Sequence, residues 1–348
     1  MIFNKRKRQI SASTSRLVSI LMLVALLLSI FTLSASAEEQ SRKLYVGGFA
    51  FGMRLTTDGV LVTGTRSISS GGKAVEPAGE AGIKAKDVIK KVNGKDVFST
   101  GEILEAVNNS KGEALTLTIL REGKTIDISV KPILEDHSEV YRLGIDLKDS
   151  MAGIGTVTYV CPDTLEFGSL GHGICEGVTG VIMPIKRGSA MEVGIGGVVK
   201  GKSGKPGELK GHFLSKRLGN VRSNTDCGVF GAFTNADGLG EPMEICTRSE
   251  VKEGKAVIRT TLGDDGIKEY EVEISKINKD SRDNKSFVIT VTDKALKERT
   301  GGIVQGMSGS PIIQDGKLVG AVTHVLVSDP TRGYGIFIEN MLDSARKA

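Results

Sequence analysis

From about residue 140 onward, the sequence consists of short apolar stretches that turn residues repeatedly interrupt. Examples of these stretches are "GIGTVTYV", "AVIRTTL", "SFVITV" and "LVGAVTHVLV". Stretches of this length that are rich in Val, Ile and Thr and are bounded by turn residues are typical of strands in a sandwich or barrel. The chain has 45 Gly in 348 residues and no Trp, so Val, Ile and Leu must build its cores. No strand–helix alternation of the Rossmann type is present, and we expect a mainly β protein.

The first 37 residues have the composition of an export signal. Five Lys or Arg and no acidic residue occur in segment 1–37, which contains an apolar run from Leu17 to Leu33 and the small residues Ala35-Ser36-Ala37. This order predicts a signal peptide or, if uncleaved, a membrane anchor, with the rest of the chain outside the cytoplasm. Removing the five charges from the net charge of +5 leaves 5 − 5, or zero. The remaining chain therefore gives no indication of nucleic-acid binding.

Residues 44–133 are predicted to form a first compact α+β domain. "VLVTG" and "ALTLTILREGKTIDISVKP" alternate as strands do, with "REGK" as a hairpin turn. A helix is predicted to start near Ser99 or Thr100, with Glu102 supporting its N-cap. Its apolar face is formed by Ile103, Leu104 and Val107.

"PAGEAGIKAKDVIKKVNGKDV" in this domain resembles the central segment of PDZ domains. In that family a peptide adds as an extra strand beside a carboxylate-binding loop. The resemblance places this loop near "FAFGM", which consists of Phe49, Ala50, Phe51, Gly52 and Met53. The alternative is a PDZ-shaped domain that packs on its neighbour and binds no free peptide.

The loop "GMSGSP", Gly306 to Pro311, lies between two apolar strands in the second domain, residues 140–348. Two interpretations are open: a tight connection, or a nucleophile next to an oxyanion hole. A serine hydroxyl needs a base to take its proton and N–H donors for the developing oxyanion. The glycines at 306 and 309 allow the N–H groups of Gly306 and Ser308 to point the same way. Ser308 is thus the candidate nucleophile.

The base must come from the four histidines. His137 and His212 are predicted to be exposed, while His324 lies in a strand beyond the candidate nucleophile, where structural imidazoles are common. His172 stands in "LGHGI", where flanking glycines permit close backbone approach. The residues alone favour His172 over His324. Cys175 with His172 is a second candidate nucleophile, without an oxyanion loop.

The four cysteines, Cys161, Cys175, Cys227 and Cys246, form no CxxC pair, so no zinc site is predicted. One or two disulfides are compatible with an exported protein, and so are free buried thiols. No organic cofactor is predicted either.

The whole set of motifs is similar to the stage IV sporulation protein B peptidases, serine peptidase family S55. The similarity extends over residues 44–345 and is densest in "VTDKALKERTGGIVQGMSGSPIIQDGKLVGAVTHVLVSDPTRGYGIFIENML". It implies a chymotrypsin-like double β-barrel after a PDZ-like domain and an N-terminal signal or anchor helix. It also implies Ser308 as nucleophile, His172 as base and Asp293 as the acid of the triad.

The acid is the least determined member of this triad. Asp293 also suits the N-cap of a helix at "KALKER", a position where Asp is preferred. Asp163 and Asp226 are alternative acids, and a Ser–His dyad is possible if no acid aligns.

The resemblance further implies a physiological role during spore formation. In that scheme the peptidase reaches the space between the two forespore membranes, cleaves itself near its N-terminus, and cuts a membrane-bound regulator similar to stage IV sporulation protein FA. An intramembrane protease is thereby released to process pro-sigma-K. The contrasting hypothesis is an exported PDZ scaffold protein whose barrel is catalytically inactive.

Overall fold

The computed structural model describes residues 43–348, so the predicted signal or anchor segment 1–37 lies outside the described residues. Within the described part, no helix is both long enough and apolar enough to cross a membrane. The helices are Pro77–Glu80 (α1), Thr100–Asn109 (α2), Lys294–Thr300 (α3) and Ile338–Lys347 (α4). The strands are Lys43–Val46 (β1), Ala50–Thr65 (β2), Ile68–Ser70 (β3), Lys73–Val75 (β4), Val88–Val92 (β5), Lys95–Asp96 (β6), Leu115–Arg121 (β7), Lys124–Val130 (β8), Ile133–Leu134 (β9), Tyr141–Arg142 (β10), Ile145–Val160 (β11), Glu166–Ser169 (β12), Ile185–Val199 (β13), Glu208–Thr225 (β14), Gly228–Phe233 (β15), Met243–Glu244 (β16), Gly254–Thr261 (β17), Ile267–Ser275 (β18), Phe287–Val291 (β19), Pro311–Gln314 (β20), Lys317–Leu326 (β21) and Asp329–Phe337 (β22).

The C-terminal part of the chain forms a closed six-stranded barrel in the order β17-β18-β19-β22-β21-β20. Its strands alternate between buried and exposed residues, as in β17, where Ala256, Ile258 and Thr260 point inward. The turn "QDGK" joins β20 to β21 with Asp315 and Gly316 both at positive φ, the conformation of a type I′ hairpin. This barrel has its own apolar core of Val, Ile, Leu and Phe side chains.

A second ring of six strands closes by a pairing between distant segments. Strand β2 pairs with both β11 and β13, and the ring continues through β14, β15 and β12 back to β11. This first barrel is filled by Phe51, Phe167 and Phe233, with the rings of Phe167 and Phe233 stacked at 4.4 Å. The first half of β2 belongs to this barrel and its second half to the α+β domain that follows, so that domain is inserted between two barrel strands.

The PDZ domain packs α1 and α2 on the strands β5, β7 and β8 and on the second half of β2. Helix α2 starts as predicted: Ser99 Oγ accepts from the N–H of Glu102, and the Glu102 carboxylate accepts from the N–H of Ser99. Inside the domain Asp87, which is only 1% exposed, receives two hydrogen bonds from Arg121. A buried carboxylate is tolerated only with such pairing.

The predicted architecture is confirmed for the described residues: a mainly β protein with a double barrel and a PDZ domain. The exact domain limits of 44–133 and 140–348 stay predictions. The strand pairing shows in addition that residues 43–58 contribute to the first barrel.

Candidate active site

The loop around Ser308 joins α3 to strand β20 and carries two glycines in the left-handed region, Gly306 at φ 98° and Gly309 at φ 93°. The loop is fixed from within, because the N–H groups of Met307 and Ser310 donate to Val304 O and Met307 O. Ser308 is partly exposed, whereas Met307 below it is fully buried. The sequence feature that predicted a nucleophile loop thus forms a rigid, solvent-reachable turn.

Two N–H groups of this loop have no acceptor. Within residues 43–348, the backbone N–H groups of Gly306 and Ser308 make no hydrogen bond, although those of Met307, Gly309 and Ser310 all do. Unpaired backbone donors beside a hydroxyl are what an oxyanion hole requires. The two predicted oxyanion donors therefore have no acceptor within the described structure, and their role stays a prediction.

The nucleophile loop belongs to the second barrel but is attached to strand β11 of the first. Thr156 donates from its N–H to Ser308 O at 3.0 Å and from its hydroxyl to Gly306 O at 2.8 Å. Thr158 donates from its hydroxyl to Gly309 O at 2.8 Å. We call this contact between β11 and residues 306–309 the barrel seam.

His172 lies near the barrel seam, on the loop that follows strand β12 and packs on strand β21 of the second barrel. Leu170 and Gly171 both have positive φ, 65° and 67°, which turns the chain sharply after the strand. A Cβ on Gly171 would lie 2.8 Å from Thr323 Cγ2, so this loop sits directly on strand β21 of the second barrel. The flanking glycines of "LGHGI" therefore have the role predicted for them, close approach of backbone.

Ser308 and His172 contact adjacent residues of β21, Thr323 and His324 respectively. Ser308 Oγ donates to Thr323 O at 2.8 Å. The ring of His172 packs against the ring of His324, with 4.7 Å between centroids and 35° between planes. In this state the serine hydroxyl is hydrogen-bonded to a carbonyl and not to an imidazole.

The hydrogen bonds of His172 define its tautomer. Its Nδ1 lies 2.8 Å from Gly173 O. A carbonyl oxygen only accepts, so Nδ1 carries the hydrogen and Nε2 of the neutral ring keeps its lone pair. Burial lowers the pKa of His172, and the Gly173 carbonyl partly offsets this effect. A neutral imidazole with a free Nε2 is the form a general base needs.

No carboxylate hydrogen-bonds to His172 or His324 in the described part of the chain. Asp293 is the N-cap of α3, with its carboxylate accepting from Leu296 N at 2.8 Å and Glu271 N at 3.4 Å. The observed contacts thus match the capping role that the sequence left open. The triad role of Asp293 stays a prediction without a contact to support it.

Neither of the two alternative acids makes a hydrogen bond to an imidazole within the described residues. Asp163 is exposed in the turn before β12, and Asp226 is exposed in the turn between β14 and β15. Only the main-chain oxygen of Asp226 is engaged, by Asn284 Nδ2 at 2.7 Å.

The remaining candidate residues are two histidines and three cysteines. His137 and His212 are exposed, as predicted. The pKa of the Cys175 thiol is raised, first by partial burial of its sulfur and then by Asp226, which disfavours the thiolate that a cysteine nucleophile needs. Cys175, Cys227 and Cys246 carry free thiols.

The predicted carboxylate-binding loop at Phe49–Met53 is wrong. Residues 50–53 belong to strand β2 of the first barrel, where Phe51 and Met53 are at most 2% exposed. Both edges of this strand are paired, with β11 on one side and β13 on the other. An additional peptide strand therefore has no edge to join.

A groove is present instead between helix α2 and residues 143–147, and we call it the PDZ groove. These elements enclose a cavity of about 310 Å³, which is lined by Ile103, Leu104 and Val107 from the helix. Within the described residues, the backbone N–H groups of Leu143 and Gly144 have no acceptor, and Gly144 has φ 70°. The missed signal was "LGIDL", a glycine directly before an alternating strand.

Comparisons with known proteins give matches both to the α+β domain and to the barrel part of this chain. The model of the SpoIVB peptidase S55 family matches residues 139–342, and a PDZ domain model matches residues 50–131. The chain is 46% identical over 55 residues to the serine protease Do-like HtrB of Bacillus subtilis, which is 15% of this chain and 12% of that protein. It is 48% identical over 59 residues to a CtpA-like serine protease of Staphylococcus saprophyticus, 16% of this chain and 12% of that protein. The chain thus spans only about an eighth of the length of these curated relatives.

Two solved structures are similar over larger shares. The active form of the Rv3671c protease from M. tuberculosis covers 57% of this chain, and 74% of its own length, with 16% identity and a TM-score of 0.34. The PDZ domain of an SdrC-like protein from Listeria monocytogenes covers 27% of this chain and 90% of its own length, with 22% identity and a TM-score of 0.22. Since the family model covers residues 139–342 of 348, the chain belongs to the SpoIVB peptidase S55 family of serine peptidases and carries a PDZ domain.

Proposed function

We propose that this protein is an active serine endopeptidase in which Ser308 attacks the peptide carbonyl and His172 takes the proton. The observation that carries the proposal is the pair of unpaired N–H groups at Gly306 and Ser308, on a loop whose Ser308 hydroxyl bonds to Thr323 O while His172 packs on the adjacent His324. As Ser308 Oγ forms its bond to the carbonyl carbon, its proton passes to His172 Nε2. The carbonyl oxygen takes the negative charge, which the two N–H groups stabilise. His172 then gives the proton to the leaving amine.

We further propose that the reaction takes place outside the cytoplasm in sporulation signalling. The physiological substrate would be a membrane-bound regulator similar to stage IV sporulation protein FA, whose cleavage lets an intramembrane protease process pro-sigma-K. Support comes from family membership and from the basic and apolar order of residues 1–37.

The PDZ groove is proposed to hold an extended segment of the substrate or of the protein's own N-terminal region. Unpaired N–H groups at Leu143 and Gly144 fit a peptide carboxylate or carbonyl, and Leu104, which is 45% exposed, offers an apolar contact for a side chain. Self-cleavage is proposed within residues 34–46.

A fluorophosphonate probe on the full-length protein tests the proposal. We expect the wild type to be labelled, and labelling to be lost in Ser308→Ala and reduced by about 10³-fold or more in His172→Ala, because the hydroxyl is unreactive without its base. The N-terminus of each variant, read by mass spectrometry, reports on self-cleavage, which Ser308→Ala must abolish.

Ser310→Ala is the matched control, since Ser310 lies in the same loop but is fully buried and its hydroxyl has no partner among the described residues. Labelling that survives in Ser308→Ala, or a wild type that takes no label while folded, would contradict the proposal. The second result would favour an inactive PDZ scaffold.

A further inference from the structure

His324 is a partly buried residue of the candidate active site that the reaction above does not use. Its ring packs against that of His172, which belongs to the first barrel. Its Nδ1 is buried with no hydrogen-bond partner among residues 43–348. Most buried polar atoms in proteins are paired, and leaving one unpaired destabilises the folded state. A group retained at that cost inside a catalytic site calls for a functional explanation.

His172 lacks the carboxylate partner of a Ser–His–Asp triad among the described residues. Its Nδ1 is already occupied by Gly173 O, and no carboxylate bonds to either imidazole in the described structure. When His172 takes the proton of Ser308, a positive charge appears in a largely buried ring. Two groups in contact with that ring can stabilise this charge, the Gly173 carbonyl and His324.

His324 remains neutral under conditions where His172 works. Its pKa is lowered to about 4, first by burial and then by the positive charges that face it, those of His172 and Lys285. A neutral aromatic ring against a cation is attractive, and an unprotonated Nδ1 adds a lone pair to the contact. Two protonated imidazoles at this distance would repel each other, so the pair holds one proton.

We propose that His324 is a positioning residue for this peptidase reaction, a neutral imidazole that fixes the plane of His172 and stabilises its protonated form. It does not take the place of a carboxylate at Nδ1 of His172, because Gly173 O occupies that position, and it acts instead through ring-to-ring contact. His324 itself gains and loses no proton: the Ser308 proton goes to His172 Nε2 and from there to the leaving amine. The inference rests on the proposed peptidase function, because it assigns a role relative to Ser308 and His172.

The test compares His324→Phe, which keeps a flat ring but removes both nitrogens, with His324→Leu, which removes the ring as well. The rate of fluorophosphonate labelling of Ser308 is measured from pH 4 to pH 9 on the full-length protein. We expect a rate about tenfold lower for His324→Phe and lower still for His324→Leu, below the loss of about 10⁴-fold that follows removal of a triad acid. The acid limb of the rate profile should move to lower pH in both variants, because His172 loses support for its proton.

His212→Phe serves as control, since His212 is exposed on β14. Folding is verified by the thermal unfolding midpoint of each variant, and His324→Phe is the variant expected to fold unchanged. A rate and pH profile equal to the wild type in folded His324→Phe and His324→Leu would overturn the inference while leaving the peptidase function intact. Labelling that persists in His172→Ala but disappears in both His324 variants would overturn it too, by making His324 the base. A wild type that takes no label would instead sink the proposed function itself.

Discussion

The two barrels of this protein are built from the chain in different ways. The second barrel uses consecutive strands, β17 to β22, so that most pairings join neighbours in sequence. The first barrel closes only because β2, which precedes the PDZ domain, pairs with β11 and β13, which follow it. The first barrel therefore depends on contacts across an inserted domain, and the second does not.

This difference has a counterpart in the active site. The second barrel provides the proposed nucleophile Ser308, the proposed oxyanion donors and His324 from one short stretch of sequence, residues 306–324. The first barrel provides His172 on a loop whose position depends on the barrel seam at Thr156, Thr158 and residues 306–309. Catalysis is thus expected to be lost when the barrels separate, even if each barrel remains folded.

The largest expected effect comes from Gly309→Ala, which breaks the barrel seam. A Cβ there would lie 2.0 Å from Thr156 O and 2.4 Å from Leu170 N, at φ 93°. We expect a loss of about 3 kcal/mol or more in the free energy of unfolding, together with loss of labelling at Ser308. Urea unfolding and probe labelling measure the two effects.

Gly316→Ala is the control for backbone strain, because Gly316 also has positive φ but no described atom lies within 4 Å of the place where a Cβ would stand. It should cost only about 1–2 kcal/mol and leave labelling intact. A stable and active Gly309→Ala protein would show that the seam is not needed.

The next effect is the pH dependence of the paired histidines at the seam. Labelling should fall about tenfold per pH unit below the pKa of His172, which burial places under its ordinary value of 6.5. The free energy of unfolding should likewise decrease as the pH falls. Burial lowers the folded pKa of His324 from 6.5 to about 4, so the unfolded chain binds protons first on acidification.

The stabilisation from a neutral His324 is therefore complete above about pH 6.5 and is lost as the pH approaches 4. Unfolding in urea at pH 7, 6, 5 and 4 measures this loss. The His324→Phe protein should show a shallower decline over this range, and an equal decline would contradict the assignment.

The smallest expected effects distinguish a cap from a catalytic acid at Asp293, within the second barrel. Asn caps helices nearly as well as Asp, whereas Ala does not. If Asp293 acts as observed, Asp293→Asn should keep wild-type stability and labelling, and Asp293→Ala should lose about 1 kcal/mol of stability. A folded Asp293→Asn protein that fails to label would restore Asp293 as the acid of the triad.

Strand β11 shows how closely the PDZ domain and the first barrel are joined. Its start, Ile145 to Leu147, lines the PDZ groove, and its end carries Thr156 and Thr158 of the barrel seam. Between them Asp149 accepts a hydrogen bond from Thr100 N at the start of α2. No boundary drawn in the sequence separates the two domains at this strand.

Features with a local signal could be predicted from the sequence. The hairpin turns, the capping box at Ser99 and Glu102, and the nucleophile loop each depend on residues within a few positions of one another. The chemistry of Ser308 with its glycines, and that of His172 between glycines, follows from side-chain type and backbone freedom. Both could be proposed from the printed sequence.

Tertiary structure decided what depends on distant contacts. The segment Phe49–Met53 reads equally well as a loop or a strand, and only its pairing with β11 and β13 makes it part of a barrel. The partner of His172 could not be chosen from spacing either, because His324 meets it only where the two barrels touch. Local preferences fix turns and caps over a few residues, whereas the closure of a barrel and the burial of an unpaired imidazole arise from surfaces that the chain brings together only on folding.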